Sequence, residues 1–397
     1  MEYTSDFLSN KLFLDNPLAS SVSLGERIGS THVKTGLFYQ ANGDVKILVY
    51  APRISEVSVH INRIPHAFTR CNDGFFEIVL QRDPNIIGPM NADLFFDGTR
   101  IVYPTIPAYW SANSIHNYIE FPGEELSFSF MKDVPHGCIS RHYFWSNEFN
   151  DYERCLVYTP PGYMTGTVSY PVLYLQHGMG ENETVWESTG KVANIMDNLI
   201  ASKQCEPFII VMNNNMLRYP GNEGGGIDRG FENMLLHDCI PFIEQTFRVK
   251  TGKWNRAICG LSMGSYLSND IAIFHPETFG YVGALTGCMY HTDPKLAVYE
   301  RPYLEAMKTG NVFKEHYRVF YQSATPQEDH LDFCMVDNQI CKDCGVADMP
   351  GYRFIVHPAN YPRWASWRTG LRDFAKLIFR PEEAYATREK FKETCGI

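Results

Sequence analysis

The sequence predicts a two-part α/β chain, in which a β-sandwich precedes a mostly parallel sheet with helices on both of its faces. From about residue 33 to 130, short apolar runs are separated by turn residues, which is typical of a sandwich. From about residue 150, apolar runs of strand length alternate with helical segments, which favours a parallel sheet. A third observation is a serine in the sequence Gly260-Leu261-Ser262-Met263-Gly264, in the middle of that alternation.

The first domain is predicted from runs that alternate or stay apolar over strand length: Val45 to Tyr50, Val57 to Ile61, and Phe75 to Leu80. Asn42-Gly43 and Asn72-Asp73-Gly74 supply hairpin turns between them. The aromatic residues Tyr103, Tyr109 and Trp110 fit either a core or a sugar-binding platform. We place the domain boundary near residue 125, which gives domains of 1–125 and 126–397.

The second domain is predicted from further apolar runs. Phe128 to Val134 and Cys138 to Trp145 resemble strands that lead into it. Its own strands are Arg154 to Thr159, Val172 to Gln176, Phe208 to Met212, Arg256 to Cys259, Val282 to Leu285, Arg318 to Gln322 and Tyr352 to His357. Helices are predicted at Val192 to Ser202, Phe231 to Phe247, Tyr266 to His275, Tyr299 to Thr309 and Ala365 to Phe379.

Composition limits the classes of function. The chain has 397 residues, 44% hydrophobic and 20% charged, and a net charge of -10 without a basic patch, so we expect no nucleic-acid partner. No apolar run approaches the roughly 20 residues of a membrane span. The start of the sequence lacks a basic region and an apolar core, so we expect no secretory signal. Eleven cysteines, an odd number, are then expected to be reduced, and the predicted location is cytoplasmic.

The serine sequence has a mechanical meaning. A buried strand before Ser262 and a helix after it place the side chain on a strained turn, and the flanking glycines let neighbouring backbone pass. The free N–H groups at the start of the helix point to the place where charge develops in ester hydrolysis. A serine elbow amid alternating strands and helices is the α/β-hydrolase arrangement, so Ser262 is the predicted nucleophile.

Several motifs together carry a family resemblance: Asp133-Val134-Pro135-His136-Gly137, Val157 to Tyr163, Val172 to Gly180, the serine elbow, and Trp364-Ala365-Ser366-Trp367-Arg368. With these motifs the second domain resembles the esterase D-like α/β hydrolases of carbohydrate esterase family one, the feruloyl and acetyl-xylan esterases, with the enterochelin esterases as close relatives. The first domain resembles the early-set, carbohydrate-binding-like sandwich that precedes many of these enzymes. The resemblance implies a serine esterase that needs no metal or organic cofactor.

The resemblance also implies roles for individual residues. The backbone N–H groups of Met263 and Met179 would bind the oxyanion, and His177 would shape the loop that holds Met179. Asp329 matches the acid of the family, and Glu328 is the alternative.

The histidine departs from the family pattern. Relatives carry Gly-His-x-Trp-x-x-Trp-Arg, but the matching position here is Pro362, which cannot accept a proton. His357, at the end of the last predicted strand, is the predicted base, and His330 is a second candidate. The absence of any dedicated histidine stays open at this point.

Two further groups of residues could bind a substrate or a metal. Asn213, Asn214 and Arg218 precede a Gly-rich loop after a strand, so they are candidates for substrate contacts, although an ordinary surface loop fits equally well. Cys334, Cys341 and Cys344 have spacing that could suit zinc, but the sequence offers no fourth ligand, so we expect packed thiols and no metal site.

We therefore expect a serine esterase that hydrolyses carboxylic esters of sugars or phenolic acids, of the feruloyl or acetyl type, through an acyl-enzyme. Its partner would be a small-molecule or oligosaccharide ester, and the sandwich offers a surface for a homodimer. Two alternatives remain. One is a siderophore-lactone esterase, and the other is a pseudo-esterase that binds an acylated or carbohydrate ligand without efficient turnover.

Overall fold

The computed structural model describes residues 35–83, 86–216, 229–287, 310–327 and 331–397. The chain divides into two compact units. The first ends at Asp133 and takes in Asn360–Ala365, and the second comprises Val134–Ala359 and Ser366–Ile397.

The first unit contains two antiparallel sheets. In the described residues its strands are β1 (Gly36–Tyr39), β2 (Val45–Tyr50), β3 (Val57–Ile61), β4 (Ile64–Ala67), β5 (Thr69–Arg70), β6 (Phe75–Leu80), β7 (Gly88–Phe96), β8 (Thr99–Ile101), β9 (Ala108–Ser111) and β10 (Ser114–Phe121). One sheet has the order β1-β2-β6-β5, and the other has the order β4-β3-β7-β10-β9 with β8 on β7.

Alternation of side chains explains how these two sheets pack. β2 and β3 bury every second residue, and their inward side chains share one core with those of β7 and β10. Val45, Val59 and Leu94 are fully buried in this core. The predicted β-sandwich and its first three strands are confirmed.

The strand predicted from Phe128 to Val134 is wrong. A 3₁₀ helix runs over Glu124–Ser129 instead, and its Leu126 is buried with Ile87 and Ala365. The aromatic side chains of Phe128, Phe130 and Tyr361 pack against the same cluster. This packing holds the segment in the first unit, so the unit extends beyond the boundary predicted near residue 125.

The second unit is built on one large sheet. Among the described residues its strands are β11 (Cys138–Ser146), β12 (Asp151–Thr159), β13 (Val172–Gln176), β14 (Ile209–Asn213), β15 (Arg256–Leu261), β16 (Tyr281–Leu285), β17 (Val319–Ala324) and β18 (Tyr352–Val356). The order is β11-β12-β14-β13-β15-β16-β17-β18. The strands from β14 to β18 in this order pair in parallel, whereas β11 and β12 pair antiparallel.

The helices are α1 (Val185–Ser188), α2 (Val192–Ala201), α3 (Arg229–Met234), α4 (Ile240–Thr246), α5 (Met263–Phe274), α6 (Gly310–His316), α7 (Leu331–Asp343), α8 (Arg363–Leu377) and α9 (Arg388–Cys395). Short 3₁₀ helices occur at Asn72–Gly74, Lys253–Asn255, Val346–Asp348 and Glu382–Tyr385. Every residue of β13, β14 and β16 is buried, as expected for a parallel sheet covered on both faces. The α/β-hydrolase fold class is confirmed.

Two of the predicted helices differ from the structure or lie outside its described residues. The helix predicted from Phe231 to Phe247 is interrupted by a π-helical turn at Leu235–Cys239. Asp238 in this turn accepts hydrogen bonds from Ser146 Oγ and Asn147 Nδ2, at 2.8 and 2.9 Å, and these bonds lower its pKa although burial opposes them. The helix predicted at Tyr299 to Thr309 lies outside the described residues, and α7 is a helix that the sequence reasoning missed.

The cysteines of α7 are packed thiols. Cys334 and Cys341 are buried, and burial raises the pKa of the Cys341 thiol to about 12. Within the described ranges, no helix has both the length and the apolar character that crossing a membrane requires.

Arg368 anchors α8 in the second unit. Its side chain is completely buried, and Nε donates a hydrogen bond to the carbonyl oxygen of Thr189 at 2.7 Å. The neighbouring Trp367 Nε1 donates to Thr286 Oγ1. The Trp-x-x-Trp-Arg sequence therefore has a packing role on this helix.

We predict that Arg368→Lys lowers the free energy of unfolding by about 1–3 kcal/mol, because the compact ammonium cannot reproduce the Nε contact and leaves a buried carbonyl unpaired. Urea unfolding should show a lower midpoint with an unchanged slope. Arg363→Lys, at an exposed position at the start of the same helix, is the matched control. Equal losses in both variants would refute the role of Arg368.

Candidate active site

Ser262 occupies the turn between β15 and α5. Its φ of 47° and ψ of -120° lie in a region that residues with a side chain rarely adopt. The turn is held by the Ser262 N–H, which donates to the carbonyl oxygen of Leu285 at 3.0 Å. The carbonyl oxygen of Ser262 accepts from the N–H and the Oγ of Ser265, at 2.9 and 2.6 Å. Strain that is fixed by its surroundings is a mark of a functional residue.

The glycines on either side of Ser262 are required by close backbone contacts. A Cβ on Gly260 would stand 2.2 Å from the carbonyl oxygen of Gly264. A Cβ on Gly264 would stand 2.4 Å from the carbonyl oxygen of His177. The turn therefore packs directly against the loop that follows β13.

The loop after β13 passes beside the side chain of Ser262. The point where a Cβ of Gly178 would stand is only 3.4 Å from Ser262 Cβ. Met179, the predicted oxyanion donor in this loop, has a side chain that is 64% exposed, so its bulk does not fill the core. Met263, the other predicted donor, is the first residue of α5 and its side chain is buried.

His177 has a structural role in this loop. Its Nδ1 lies 2.8 Å from the carbonyl oxygen of Gly178, and its Nε2 accepts a hydrogen bond from the N–H of Asn215 at 3.1 Å. Burial lowers the pKa of His177 to about 4, so the ring is neutral near pH 7. Both ring nitrogens are engaged with backbone, and His177 is not available as a base.

Glu181 is a residue of this site that the sequence reasoning missed. It is almost buried, and its Oε2 accepts a hydrogen bond from the N–H of Gly178 at 2.9 Å. The carbonyl oxygen of Gly178 in turn accepts from the N–H of Glu181 at 3.3 Å. These bonds close the loop around Met179 from both sides. A carboxylate three residues after the His-Gly pair was the available signal.

The polar segment after β14 is only partly described. Asn213 is buried, and its Nδ2 donates to Cys239 Sγ at 3.2 Å, so its amide faces the core. Asn214 is half-buried and accepts a hydrogen bond from the N–H of Met216 at 3.1 Å. Arg218 lies outside the described residues. Asn215, whose Nδ2 donates to the carbonyl oxygen of His177 at 2.6 Å, connects this segment to the loop after β13.

Asp329, Glu328 and His330 also lie outside the described residues. Their flanking segments are described, and both pack near the serine turn. Met263 and Tyr266 of α5 form a buried cluster with Ala324, at the end of β17, and with Cys334 of α7. The described segments before and after these three residues therefore contact the helix that follows Ser262.

His357 comes directly after β18, and its N–H donates to the carbonyl oxygen of Ala324 at 2.8 Å. The side chain is buried, and Nε2 has no hydrogen-bond partner in the described part of the chain. Burial, with a further contribution from the charge of Arg372, lowers the pKa of His357 to about 4. In the described residues, no hydrogen bond joins this ring to Ser262. Most polar atoms in a protein interior have a hydrogen-bond partner, and catalytic groups are among the exceptions.

Comparison with known families agrees with this geometry. Residues 146–341 match the model of a family described as "Putative esterase". The match covers just under half of the chain and makes this region similar to that family. The predicted resemblance to feruloyl and enterochelin esterases is confirmed: one relative is a feruloyl esterase by name, and structures of both kinds of esterase share the fold.

Two curated relatives are much longer than this chain. The endo-1,4-beta-xylanase/feruloyl esterase of Xylanibacter ruminicola is 38% identical over 246 residues, which cover 56% of this chain and 34% of the relative. Endo-1,4-beta-xylanase Y of Acetivibrio thermocellus is 27% identical over 197 residues, which cover 46% of this chain and 17% of the relative. The matches thus span about a third of one relative and about a sixth of the other.

Solved structures share the fold. A ferulic acid esterase of Anaeromyces mucronatus matches with a TM-score of 0.53 and 20% identity, over 63% of this chain and 93% of that one. The enterobactin esterase of Shigella flexneri matches with a TM-score of 0.59 and 16% identity, over 84% of this chain and 92% of that one.

We predict that Glu181→Ala lowers kcat for p-nitrophenyl acetate roughly tenfold to a hundredfold, because a charge-assisted hydrogen bond of about 1.5–3 kcal/mol no longer fixes the loop at Met179. KM should change little, since an oxyanion donor acts mainly in the transition state. Glu181→Gln keeps an acceptor for the N–H of Gly178 and should restore most of kcat. Equal losses in the two variants would show that the hydrogen bond does not position the loop.

Proposed function

We propose that this chain is a serine esterase for carboxylic esters of sugars or phenolic acids, of the feruloyl or acetyl type. The observation that carries the proposal is the positive-φ turn at Ser262, with the loop of Gly178 beside its side chain. The nucleophile, the acyl-enzyme and the substrate are inferences from this geometry and from the relatives' names, since the chain matches only part of those relatives.

The proposed reaction has two halves. Ser262 Oγ attacks the ester carbonyl carbon while its proton passes to the base, and the tetrahedral oxyanion accepts hydrogen bonds from the N–H groups of Met179 and Met263. The C–O bond to the alcohol then breaks, the base returns its proton to the alcohol, and an acyl-enzyme remains. Water then attacks the carbonyl carbon of the acyl-enzyme while the base takes one of its protons. The bond to Ser262 Oγ breaks, the base returns the proton to Oγ, and the carboxylic acid leaves. Each oxyanion donor contributes about 2.7–4 kcal/mol to such reactions.

His357 is the proposed base, with Asp329 orienting it. Its place after the last strand follows the order serine, acid, histidine of this fold. Its buried Nε2 has no partner in the described ranges, and a ring with a pKa near 4 is neutral at pH 7 and able to accept a proton. His330 remains the second candidate.

Two other functions have a specific observation in their favour. Pro362 at the family's histidine position favours a pseudo-esterase that binds its ligand without efficient turnover. The match to the enterobactin esterase structure covers 84% of this chain, against 63% for the ferulic acid esterase, which favours a siderophore lactone as substrate. Turnover of methyl ferulate, acetylated xylo-oligosaccharide and a catecholate trilactone, compared side by side, separates these possibilities.

We predict that Ser262→Ala abolishes hydrolysis of methyl ferulate and that His357→Ala lowers kcat by several orders of magnitude, because both remove the activated nucleophile. A fluorophosphonate probe should label the wild type at Ser262 and label His357→Ala slowly.

His330→Ala tests the second candidate for the base and controls for the loss of a histidine. If His330→Ala abolishes activity and His357→Ala does not, the base is His330. If the wild type is no faster than Ser262→Ala on all three substrates, the binding function replaces the esterase.

We predict that kcat/KM keeps its neutral-pH value down to about pH 5 and is lost as the pH falls through about 4, because the depressed pKa keeps His357 neutral above that value. An ordinary, exposed histidine would lose activity near its unperturbed pKa of about 6.5. An acid limb near pH 6.5 would show either that the base is an exposed histidine or that Asp329 raises the pKa of His357, and the profile of Asp329→Asn, which moves only in the second case, decides between them.

Stability must be followed in the same experiment. His177 and His357 have folded pKa values of about 4 against about 6.5 in the unfolded chain, so the unfolded state binds more protons between these values. The two histidines therefore destabilise the folded state only below about pH 6.5. The free energy of unfolding falls between pH 6.5 and pH 4 by up to about 3 kcal/mol per histidine. Enzyme pre-incubated at each acidic pH and assayed at pH 7 separates unfolding from titration of the base.

A further inference from the structure

The hairpin of β11 and β12 carries three exposed aromatic side chains on one face. Trp145 and Tyr152 are directly opposite in the antiparallel register, and their rings meet edge to face with centroids 5.2 Å apart. Tyr143 lies two residues from Trp145 on the same face. Tyr143, Trp145 and Tyr152 are 60%, 45% and 67% exposed. We call these three residues the aromatic platform.

The opposite face of the same hairpin is buried, which shows that the exposure is not a general property of the hairpin. Phe144, between Tyr143 and Trp145, is buried in the main core of the second unit together with Cys155. The platform is thus the outer side of a hairpin whose inner side is already packed. Exposed aromatic clusters of this kind mark binding sites more often than chance positions do.

The platform lies at the same edge of the sheet as Ser262. β14 ends at Asn213, which pairs with Cys155 of the antiparallel β12, so residues 151–154 extend beyond the carboxyl end of β14. Ser262 follows the carboxyl end of β15. The order β12-β14-β13-β15 separates β12 from β15 by three strand spacings, roughly 14 Å.

The chemistry of the platform suits a sugar chain. The faces of aromatic rings carry partial negative charge, which attracts the C–H groups on the flat side of a sugar ring. A charged group lies beside the rings: Arg154 is directly opposite Tyr143 in the register, and its guanidinium can donate hydrogen bonds to hydroxyl groups. Arg154 is held in place by Glu183, with Nε 2.5 Å from Oε1. Rings set among charges fit a hydroxyl-rich ligand better than they fit an apolar protein surface.

We propose that the aromatic platform binds the glycan part of the substrate while the ester group is at Ser262. This inference rests on the proposed esterase function and deepens it, because it assigns the substrate class as an ester of an oligosaccharide rather than of a small alcohol. A substrate of several linked rings is long enough to span roughly three strand spacings between the platform and Ser262.

The first test compares a feruloylated arabinoxylan oligosaccharide with methyl ferulate. Trp145→Ala and Tyr152→Ala should each lower the ratio of kcat/KM for the oligosaccharide ester to that for methyl ferulate roughly three- to tenfold. Trp145→Phe keeps an aromatic face and should restore most of the ratio. Trp254→Ala is the matched control, since Trp254 is 38% exposed and lies before β15, at the opposite edge of the sheet. Its ratio should equal that of the wild type.

The second test measures binding without turnover. Calorimetric titration of Ser262→Ala with the same oligosaccharide ester should give a Kd that is raised three- to tenfold by adding Trp145→Ala and not by adding Trp254→Ala. An unchanged Kd and an unchanged kcat/KM ratio would overturn the platform. Failure of the wild type to hydrolyse either ester would refute the proposed function alone, because the titration still decides whether the platform binds the glycan.

Discussion

The backbone packing around Ser262 is the constraint on which the rest of the site depends. The turn holds a serine at positive φ only because Gly260 meets Gly264 and Gly264 meets the carbonyl oxygen of His177 without any Cβ between them. His177 then holds Asn215 and Gly178 through its two ring nitrogens. One tight backbone contact thus fixes two loops beside Ser262. The surrounding contacts hold the strained backbone of Ser262 in one conformation, and an oxyanion site needs such fixed geometry.

The parallel sheet brings the remaining groups to the same edge. The carboxyl ends of β13, β14, β15, β17 and β18 lead to the His177 loop, the asparagine segment, Ser262, the acid loop and His357. One position of the family's motif does not fit this pattern, because this chain has Pro362 where the relatives have a histidine. Pro362 lies in a segment that belongs to the first unit, where its neighbours Tyr361 and Ala365 pack with Ile87 and Leu126. Packing accounts for this segment, so a base has to come from another position, and His357 lies at the start of the same connection between β18 and α8.

Sequence reasoning succeeded where local pattern and burial agree. The apolar runs of β13 and β15 predict their strands because all or nearly all of their residues are buried, and the elbow follows from spacing alone. It failed where apolarity was misleading or weak. Phe128 and Phe130 suggested a strand but pack around a 3₁₀ helix, and α7 buries Asp337 and Asn338 and exposes Met335 and Val336, which hides its helical period. Glu181 was missed because its role depends on a contact that only the folded loop creates.

Burial makes His357 a weak base, because it lowers the pKa of the ring to about 4. A base with a pKa near 4 is neutral but has little tendency to take a proton from serine, and the charge of Arg372 weakens it further. A carboxylate at Asp329 would raise that pKa if it approached the ring, which makes the acid loop decisive for rate. Backbone donors do not depend on this titration, and an oxyanion site with binding alone retains about 10³–10⁴ of acceleration over water. In the proposed reaction, the backbone donors beside Ser262 would supply this part of the acceleration with or without a histidine at position 362.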